Sequence, residues 1–553
     1  MWRVDRPALW IDESASVVAT QRTWSHLWQL FGGAEAPLVP YYAMLKLIRG
    51  TIAWLSPAVA ANSELAFRLP SIGAAVLAVW ILTVWLARHS AILALTTTTA
   101  LLVGGGFTRY GQEARPYAFA LLAAVIATVT WATMITDSRR RWIGLYAVSV
   151  TFLVVAHLLA GSLVAAHLVA ALITPQKTSP TAESAAPEAT SGWAQRRSAV
   201  IRTLIGSAIG VAAVTPLALP AATQGTGPLR DFPRTWDHFT TTFLGLFTEG
   251  ARISVPTRSG PILGVGLLVL LAAIGLVQAF LNRYRFIARI AATWAIIPPL
   301  VLFPVVASRP NLITARYLVF IIPGWAILTG LGVITVADLG RRLANHLSAD
   351  RRPVAETVIG GVTAVLVLTL LVATQVSTMT GVRTPGGHGE DIRPALALAD
   401  QPQYASLPIV MAAPERTLEI AAYRRADESR ILGQRIPRER ASIWPIEDNI
   451  AARQRAKGQR RLIVLLRTPT SRSKCPGPNL AGFVRRCMPK WVRQEGYRVE
   501  TAKKGGHKWT FAVVARPEGG AGTESGTGTE SEQEQPLQRL VWVVRKGPRP
   551  GGR

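Results

Sequence analysis

The feature that most constrains this chain is a series of apolar runs almost without charge, at about 70–87, 91–107, 117–136, 143–157, 159–173, 200–221, 261–280, 287–306, 318–337 and 356–378. Most approach the roughly 20 residues that a helix needs to cross a hydrocarbon core. In that solvent every backbone N–H and C=O must be bonded within its own segment, so such runs must be helices. Composition agrees: 50% of the 553 residues are hydrophobic and only 17% are charged. The sequence predicts a polytopic α-helical membrane protein with about ten transmembrane helices. The stretch "TFLVVAHLLAGSLVAAHLVAALI" (151–173) reads either as one long helix or as two short ones meeting near His157 and Gly161.

Loop charge sets the expected orientation. "SRRRW" (138–142), "QRRSAVIR" (195–202), "NRYRFIAR" (282–289) and "RRLANHLSADRR" (341–352) are short and basic, hence cytoplasmic. An even number of crossings between the first two favours two short helices around His157. It follows that 87–90 is inside, and that 107–117, the first 66 residues and everything beyond about 379 are outside. No apolar run precedes residue 66 to export the N-terminal segment, which favours a further helix upstream of Met1. Within 37–57, Lys46 and Arg49 lie three apart on one helical face, so an amphipathic helix in the interface is expected rather than a span. Although the net charge is +28, much of the basic charge lies in short loops between spans, where the positive-inside rule puts it, which argues against a nucleic-acid partner.

Four regions are expected: a first extracytoplasmic loop (1–66), a helical membrane domain (67–378), an extracytoplasmic soluble α/β domain (379–516) and a disordered tail (517–553). Within the membrane domain, 177–192 reads as a flexible cytoplasmic loop and 222–258 as a long external one. The α/β domain rests on strand-like runs such as "LPIVMAA", "RRLIVLLR" and "WTFAVVA". It also holds the only two cysteines, Cys475 and Cys487, which form no zinc-type cluster and which an oxidising compartment would join in a disulfide.

On this topology the external membrane face collects Asp12, Glu13, Glu35, Arg68, Arg109, Tyr110, Gln112, Glu113, Arg115 and His157. Asp231, Arg234, Asp237, His238, Arg309, Arg316 and Tyr317 join them. External arginines run against the positive-inside bias, and a guanidinium fork matches phosphate. Plainer readings stand beside this one. Asp12 and Glu13 fit the acidic first turn of a helix, and "RYGQEARPY" fits a surface turn held by an internal Arg–Glu pair. Arg316–Tyr317 fits an interfacial anchor, and His157 a helix-packing contact.

Taken in order, an external "W-x-D-E", "APLVPYYAMLKL", "ELAFRLPS" entering a span, "RYGQEARPYAFALL" and "ARYLVFIIPGWAIL" resemble the GT-C superfamily of polyprenyl-phosphate-sugar-dependent glycosyltransferases, over roughly residues 9–337. The nearest branches are the bacterial protein O-mannosyltransferase-like and aminoarabinose-transferase-like enzymes. Where those commonly carry "HPPLYY" or "KPPLYW", this chain has "EAPLVPYY", with Glu35 in place of the basic residue. The resemblance implies a multi-pass enzyme of the bacterial plasma (inner) membrane with an extracytoplasmic site. Its donor would be a polyprenyl-phosphate sugar and its acceptor an envelope glycan, lipid or protein. Asp12 would be the base, with Glu13 as its neighbour or as an orientation or metal partner. Arg68, Arg109, Tyr110, Glu113, Arg115, His157, Arg316 and Tyr317 would serve donor phosphate or sugar. No cofactor is certain, and a divalent metal beside Asp12 and Glu13 is the one candidate. The rival readings are a lipid-linked sugar transporter or flippase, which would carry its polar groups at the bilayer midplane, and an inactive scaffold of the same fold.

Overall fold

The computed structural model describes residues 3–137, 139–174, 188–223, 235–248, 260–281, 283–307, 314–347, 353–467, 479–506 and 508–517. Each of the ten apolar runs carries a helix. Six are long and apolar enough to cross a bilayer: Ser63–Ala87, Tyr117–Thr136, Trp193–Leu217, Arg285–Pro304, Ala315–His346 and Thr357–Val382. Four are shorter: Ala91–Val103, Arg141–Ala156, Leu158–Ile173 and Leu263–Ala279. The chain is a multi-pass membrane protein. On the last long helix Val358, Val362, Val365, Leu366, Leu370 and Val376 are exposed, an apolar face of the kind that meets lipid. The 151–173 ambiguity resolves as two short pieces, because His157 is extended (φ −162°, ψ 117°) and a 3₁₀ turn, Leu158–Ser162, follows it.

Three segments depart from the sequence reading. The expected external loop at 222–258 contains a helix, Trp236–Thr248, which packs beside Gly105–Tyr110 and Ala315–Ile321. The helix Glu188–Thr223 begins inside the stretch read as a flexible loop. The segment 107–117 is not a surface turn: Ala91–Val103 stops at an extended Gly104, a second short helix Gly105–Tyr110 follows, and residues 107–117 are buried throughout. Gly106 permits this arrangement, since a Cβ there would lie 2.1 Å from the Leu246 carbonyl oxygen. Asp231, Arg234, Arg309 and Cys475 lie outside the described residues, and for Asp237 and His238 only their helix is described. The pairing of Cys475 with Cys487 therefore stands as a proposal.

The segment expected to be an interfacial helix is helical over Val39–Leu55, with Leu47, Trp54 and Leu55 exposed. Its charges meet protein as well as solvent. Lys46 Nζ donates to the carbonyls of Thr20 (2.8 Å) and Arg22 (2.6 Å) at the end of the helix Ile11–Thr20, and Arg49 stacks on Phe67 at 4.6 Å. A cation suits the negative end of a helix dipole.

The membrane helices pack through glycine. A Cβ at Gly275 would sit 1.9 Å from the Leu328 oxygen, and one at Gly332 would sit 1.9 Å from the Leu271 oxygen. Small residues at such contacts let backbones approach, which is how helices associate without a hydrophobic driving force between them. Gly332→Val is expected to lower stability by at least the ~1–3 kcal/mol of an overpacked core. Gly266→Ala, with open space around its Cβ position, should be neutral or gain up to about 1 kcal/mol of helix propensity. Thermal unfolding in lipid nanodiscs would compare the two, and equal midpoints would contradict the packing argument.

The C-terminal part carries a five-stranded sheet. Its strands are β1 (Ile409–Met411), β2 (Ile431–Leu432), β5 (Arg461–Arg467), β6 (Arg498–Lys504) and β7 (Trp509–Ala515), in the order β2-β1-β5-β7-β6. β3 (Gln434–Arg435) and β4 (Ile446–Glu447) form a separate antiparallel ladder. β1 is parallel to β2 and β5, and β7 is antiparallel to β5 and β6. β5 and β7 are apolar on both faces because both are covered. Leu462, Val464, Leu466, Ala512 and Val514 face the side of the helix Leu480–Cys487, while Ile463, Leu465, Phe511 and Val513 face the helix Arg393–Ala399. β6, at the edge, reads "RVETAKK", the charged composition that discourages further strand pairing.

A separate core joins the two ends of the chain. Leu9, Val18, Leu27, Tyr42 and Leu45 pack with Leu418, Ala421, Ile436 and Ile443. Arg22, wholly buried there, donates to the carbonyls of Pro437 (2.6 Å) and Arg440 (2.7 Å).

Candidate active site

The site begins at the helix Ile11–Thr20. Asp12 and Glu13 occupy its first turn, where carboxylates complement unpaired N–H groups. Glu13 Oε2 lies 3.4 Å from the Trp10 amide, so it also acts as a cap. Consecutive residues on a helix point about 100° apart, and the two acids therefore meet different surroundings.

Glu13 is fully buried. Arg68 Nε donates to its Oε1 (2.8 Å) and Arg68 Nη2 to its Oε2 (2.6 Å), and the Ala114 amide donates to Oε1 (2.9 Å). The remaining Arg68 N–H groups reach the carbonyls of Val4, Pro7 and Ala8. His388 Nδ1 lies 3.2 Å from Glu13 Oε2 and from Arg68 Nη2, and its Nε2 lies 3.2 Å from Gln112 Nε2. Burial pushes the Glu13 carboxyl up, but the Arg68 charge and hydrogen bonds, with His388, outweigh it and hold Glu13 well below the usual range. Burial and the Arg68 charge lower His388 to about 4, so its ring is neutral near pH 7.

Asp12 instead faces a cleft. Its Oδ2 lies 3.5 Å from Arg316 Nη1 and 4.0 Å from Arg115 Nη2, and among the described residues its carboxylate accepts no hydrogen bond. Arg316 and Arg109 lie on the Trp10 ring at 5.1 and 5.7 Å, cation–π contacts that fix both guanidiniums beside Asp12. Arg115 Nη1 donates to Tyr42 Oη (3.0 Å), and Tyr42 donates to Glu35 Oε2 (2.6 Å). Glu35 also accepts from Trp444 Nε1 (3.2 Å), so it ties the N-terminal segment to the C-terminal part. Glu113 Oε1 accepts from Arg109 Nε (2.9 Å), while its Oε2 is buried without a protein partner. Burial, aided by the nearby Glu13 charge, raises Glu113 to about 7 against the pull of Arg109.

Beneath lies an aromatic layer. Tyr317 is 5.2 Å from the His157 ring, Tyr117 is 6.4 Å from it, and Tyr110 is 5.7 Å from Tyr117.

The cleft measures about 680 Å³. One wall is Trp10, Asp12, Arg109 and Arg316; the other comes from the C-terminal part, with His388, Glu390, Arg416, Trp444, Arg467 and Lys508. Glu390 accepts from Arg416 (2.5 Å) and forms an ion pair with Arg467 (2.7 Å). A larger hollow of about 1310 Å³, lined by Arg485, Arg493 and Arg498, sits at the opposite end of the β6–β7 hairpin, where the lining carboxylate, Glu495, is paired with Arg516 at 3.0 Å.

Of the residues read from the sequence, Asp12, Arg109 and Arg316 line the cleft, and Arg115 stands beside Asp12. Glu13, Arg68 and Glu113 lie behind that wall; Tyr110, His157 and Tyr317 form the layer below. The whole second wall was missed. One local signal for it existed: "GGHGED" (386–391) places His388 and Glu390 around Gly389, whose φ is +107°. The residues do not fit a divalent metal. Both Glu13 oxygens are taken by N–H donors, Asp12 faces two cations, and no cluster of three His, Cys, Asp or Glu occurs among the described residues.

No protein-family model matches the chain, and no curated protein matches it. Among solved structures it is similar to ArnT from Cupriavidus metallidurans bound to undecaprenyl phosphate. The identity is 14%, over 94% of this chain and 96% of that one, with a TM-score of 0.44. It is also similar to an Archaeoglobus fulgidus oligosaccharyltransferase tethered with an acceptor peptide (12% identity, 74% of this chain and 62% of that one, TM-score 0.40). A third likeness is to AglB from the same archaeon in complex with an inhibitory peptide and a dolichol-phosphate (10%, 74% and 63%, TM-score 0.41).

Proposed function

We propose that this protein is an integral-membrane glycosyltransferase that moves a sugar from a polyprenyl-phosphate donor to an envelope acceptor, with inversion. The observation that carries the reading is Asp12, a carboxylate with free lone pairs on a cleft wall flanked by Arg316 and Arg109. The order of motifs resembling the GT-C enzymes supports it. The polar groups also gather at one end of the helices, where a transporter would carry them at the midplane.

In this mechanism the acceptor hydroxyl oxygen attacks the anomeric carbon while Asp12 takes its proton. The bond from that carbon to the phosphate oxygen breaks, its electron pair leaves with the polyprenyl phosphate, and one-step displacement inverts the centre. Arg316 and Arg109 stabilise the charge that grows on the departing phosphate, the kind of fixed electrostatic contribution that lowers a barrier most. Glu13 is a positioning residue: with Arg68 it fixes the start of the helix that carries Asp12. The active-site end and the soluble α/β part lie on the extracytoplasmic side of a bacterial plasma membrane. A reporter fused after residue 378 should then be active only outside the cytoplasm.

The test supplies the full chain in nanodiscs with radiolabelled mannosyl and arabinosyl polyprenyl phosphates and envelope fractions. Label should enter acceptor material. Arg316→Ala should cut the rate by about 10²–10³-fold, with partial rescue by Arg316→Lys. Label that crosses a vesicle still attached to its lipid would instead support the transporter.

A further inference from the structure

We propose that the tip of the β6–β7 hairpin is an anion-recognition subsite for the acceptor, in which Lys508 and Arg467 receive a phosphate or carboxylate that the acceptor carries beside its reacting hydroxyl. This rests on the glycosyltransferase reading of the same cleft.

Three observations converge. The first is backbone conformation. Lys508 has φ +61°, in the left-handed region, and only Arg3 shares a positive φ among the described non-glycine residues. That conformation disfavours a residue with a Cβ by about 1–2 kcal/mol. The same turn uses Gly506 at φ +106°, so glycine is present where only the backbone matters. Strain of this kind persists where a side chain has a task.

The second is charge. Lys508 is half-buried on the cleft wall and has no carboxylate within ion-pair distance among the described residues. Glu390 attracts Lys508, but one of its oxygens is already paired with Arg416 and the other with Arg467, and Arg467, Arg109 and Arg416 repel Lys508. The other acid on this wall, Glu415, acts on Arg416. Burial first, and these cations against the pull of Glu390, lower the proton affinity of Lys508, a penalty that a bound anion would relieve.

The third is position. Arg316 and Arg109, on the wall with Asp12, lie where the membrane helices end, and are assigned to the donor phosphate. Lys508 and Arg467 stand on the C-terminal wall, opposite. Arg109 and Lys508 face each other closely enough to repel, so a donor phosphate held by Arg316 and Arg109 leaves Lys508 and Arg467 for a second anion, carried by the acceptor. A neutral acceptor would leave the half-buried Lys508 unpaired.

The test uses the full chain in nanodiscs, with equilibrium dialysis of radiolabelled glucose 6-phosphate and glucose as probes. Glucose 6-phosphate should be held at least tenfold more tightly than glucose. Arg467→Gln should weaken it at least tenfold, and so should Lys508→Asn, which removes the charge but tolerates the left-handed backbone. Excess undecaprenyl phosphate should not displace it. Unchanged binding in Lys508→Asn, no preference for the charged sugar, or displacement by undecaprenyl phosphate would each overturn the proposal. A wild-type chain that binds glucose 6-phosphate through Lys508 yet transfers no label from any polyprenyl-phosphate sugar would count against the glycosyltransferase reading and not against the anion site.

Discussion

Replacing Asp12 by Asn is expected to cost about 10²–10⁴-fold in transfer rate, the usual contribution of a placed general base, while donor binding changes little. Asn keeps the size of the side chain and its place in the first helical turn. It removes the lone-pair basicity that takes the hydroxyl proton and the negative charge opposite Arg316 and Arg115. With that charge gone, the arginines attract the donor phosphate at least as strongly, so KM for the donor should hold or fall while kcat collapses. Asp12→Glu moves the carboxylate by one methylene and should recover part of the rate. Transfer by Asp12→Asn at the wild-type rate would remove Asp12 from the mechanism.

Glu13 and Arg68 should answer to a different measurement. Arg68→Met leaves a buried carboxylate without its bidentate partner, a loss of about 3–5 kcal/mol for a broken interior ion pair. The double variant Glu13→Gln with Arg68→Met should regain much of it, because no uncompensated charge remains. Acid should separate the pair further. The folded-state value of Glu13 is depressed below its ordinary 4.5. Its stabilisation is therefore complete above that pH and is lost as pH falls toward the folded-state value. Thermal unfolding in nanodiscs between pH 5 and 3 should show a steeper decline for wild type than for Glu13→Gln. Parallel declines would mean that the network contributes no linked stability.

The membrane helices were legible in the sequence because hydropathy over some twenty residues is a local property that no distant segment can overrule. Where backbone conformation decided, legibility failed. The run at 91–107 breaks at Gly104 to admit the helix Trp236–Thr248, and nothing local announces that helix as a packing partner. The adjacent acids show a second limit. Spacing says that Asp12 and Glu13 point apart, but only the three-dimensional placement of Arg68, Ala114 and His388 shows which of them is consumed by structure. Glu35 is a third case: a carboxylate standing in an altered motif, tied to Tyr42 and Trp444 from opposite ends of the chain. The C-terminal wall of the cleft was illegible because Glu390, Arg416, Arg467 and Lys508 meet through sheet order and a turn rather than through any sequence pattern.

The core shared by the two ends of the chain dictates an order of events during synthesis. The Leu9 amide donates to the Tyr423 hydroxyl across 414 residues, and Arg22 reaches carbonyls 415 and 418 residues onward. At about 5–20 residues per second, the wall that holds Asp12 waits on the order of 20–80 s for the strands that complete it. Every span between must already be threaded through the bilayer by then. On the glycosyltransferase reading, the nascent chain is therefore inert until the strands of its C-terminal part arrive.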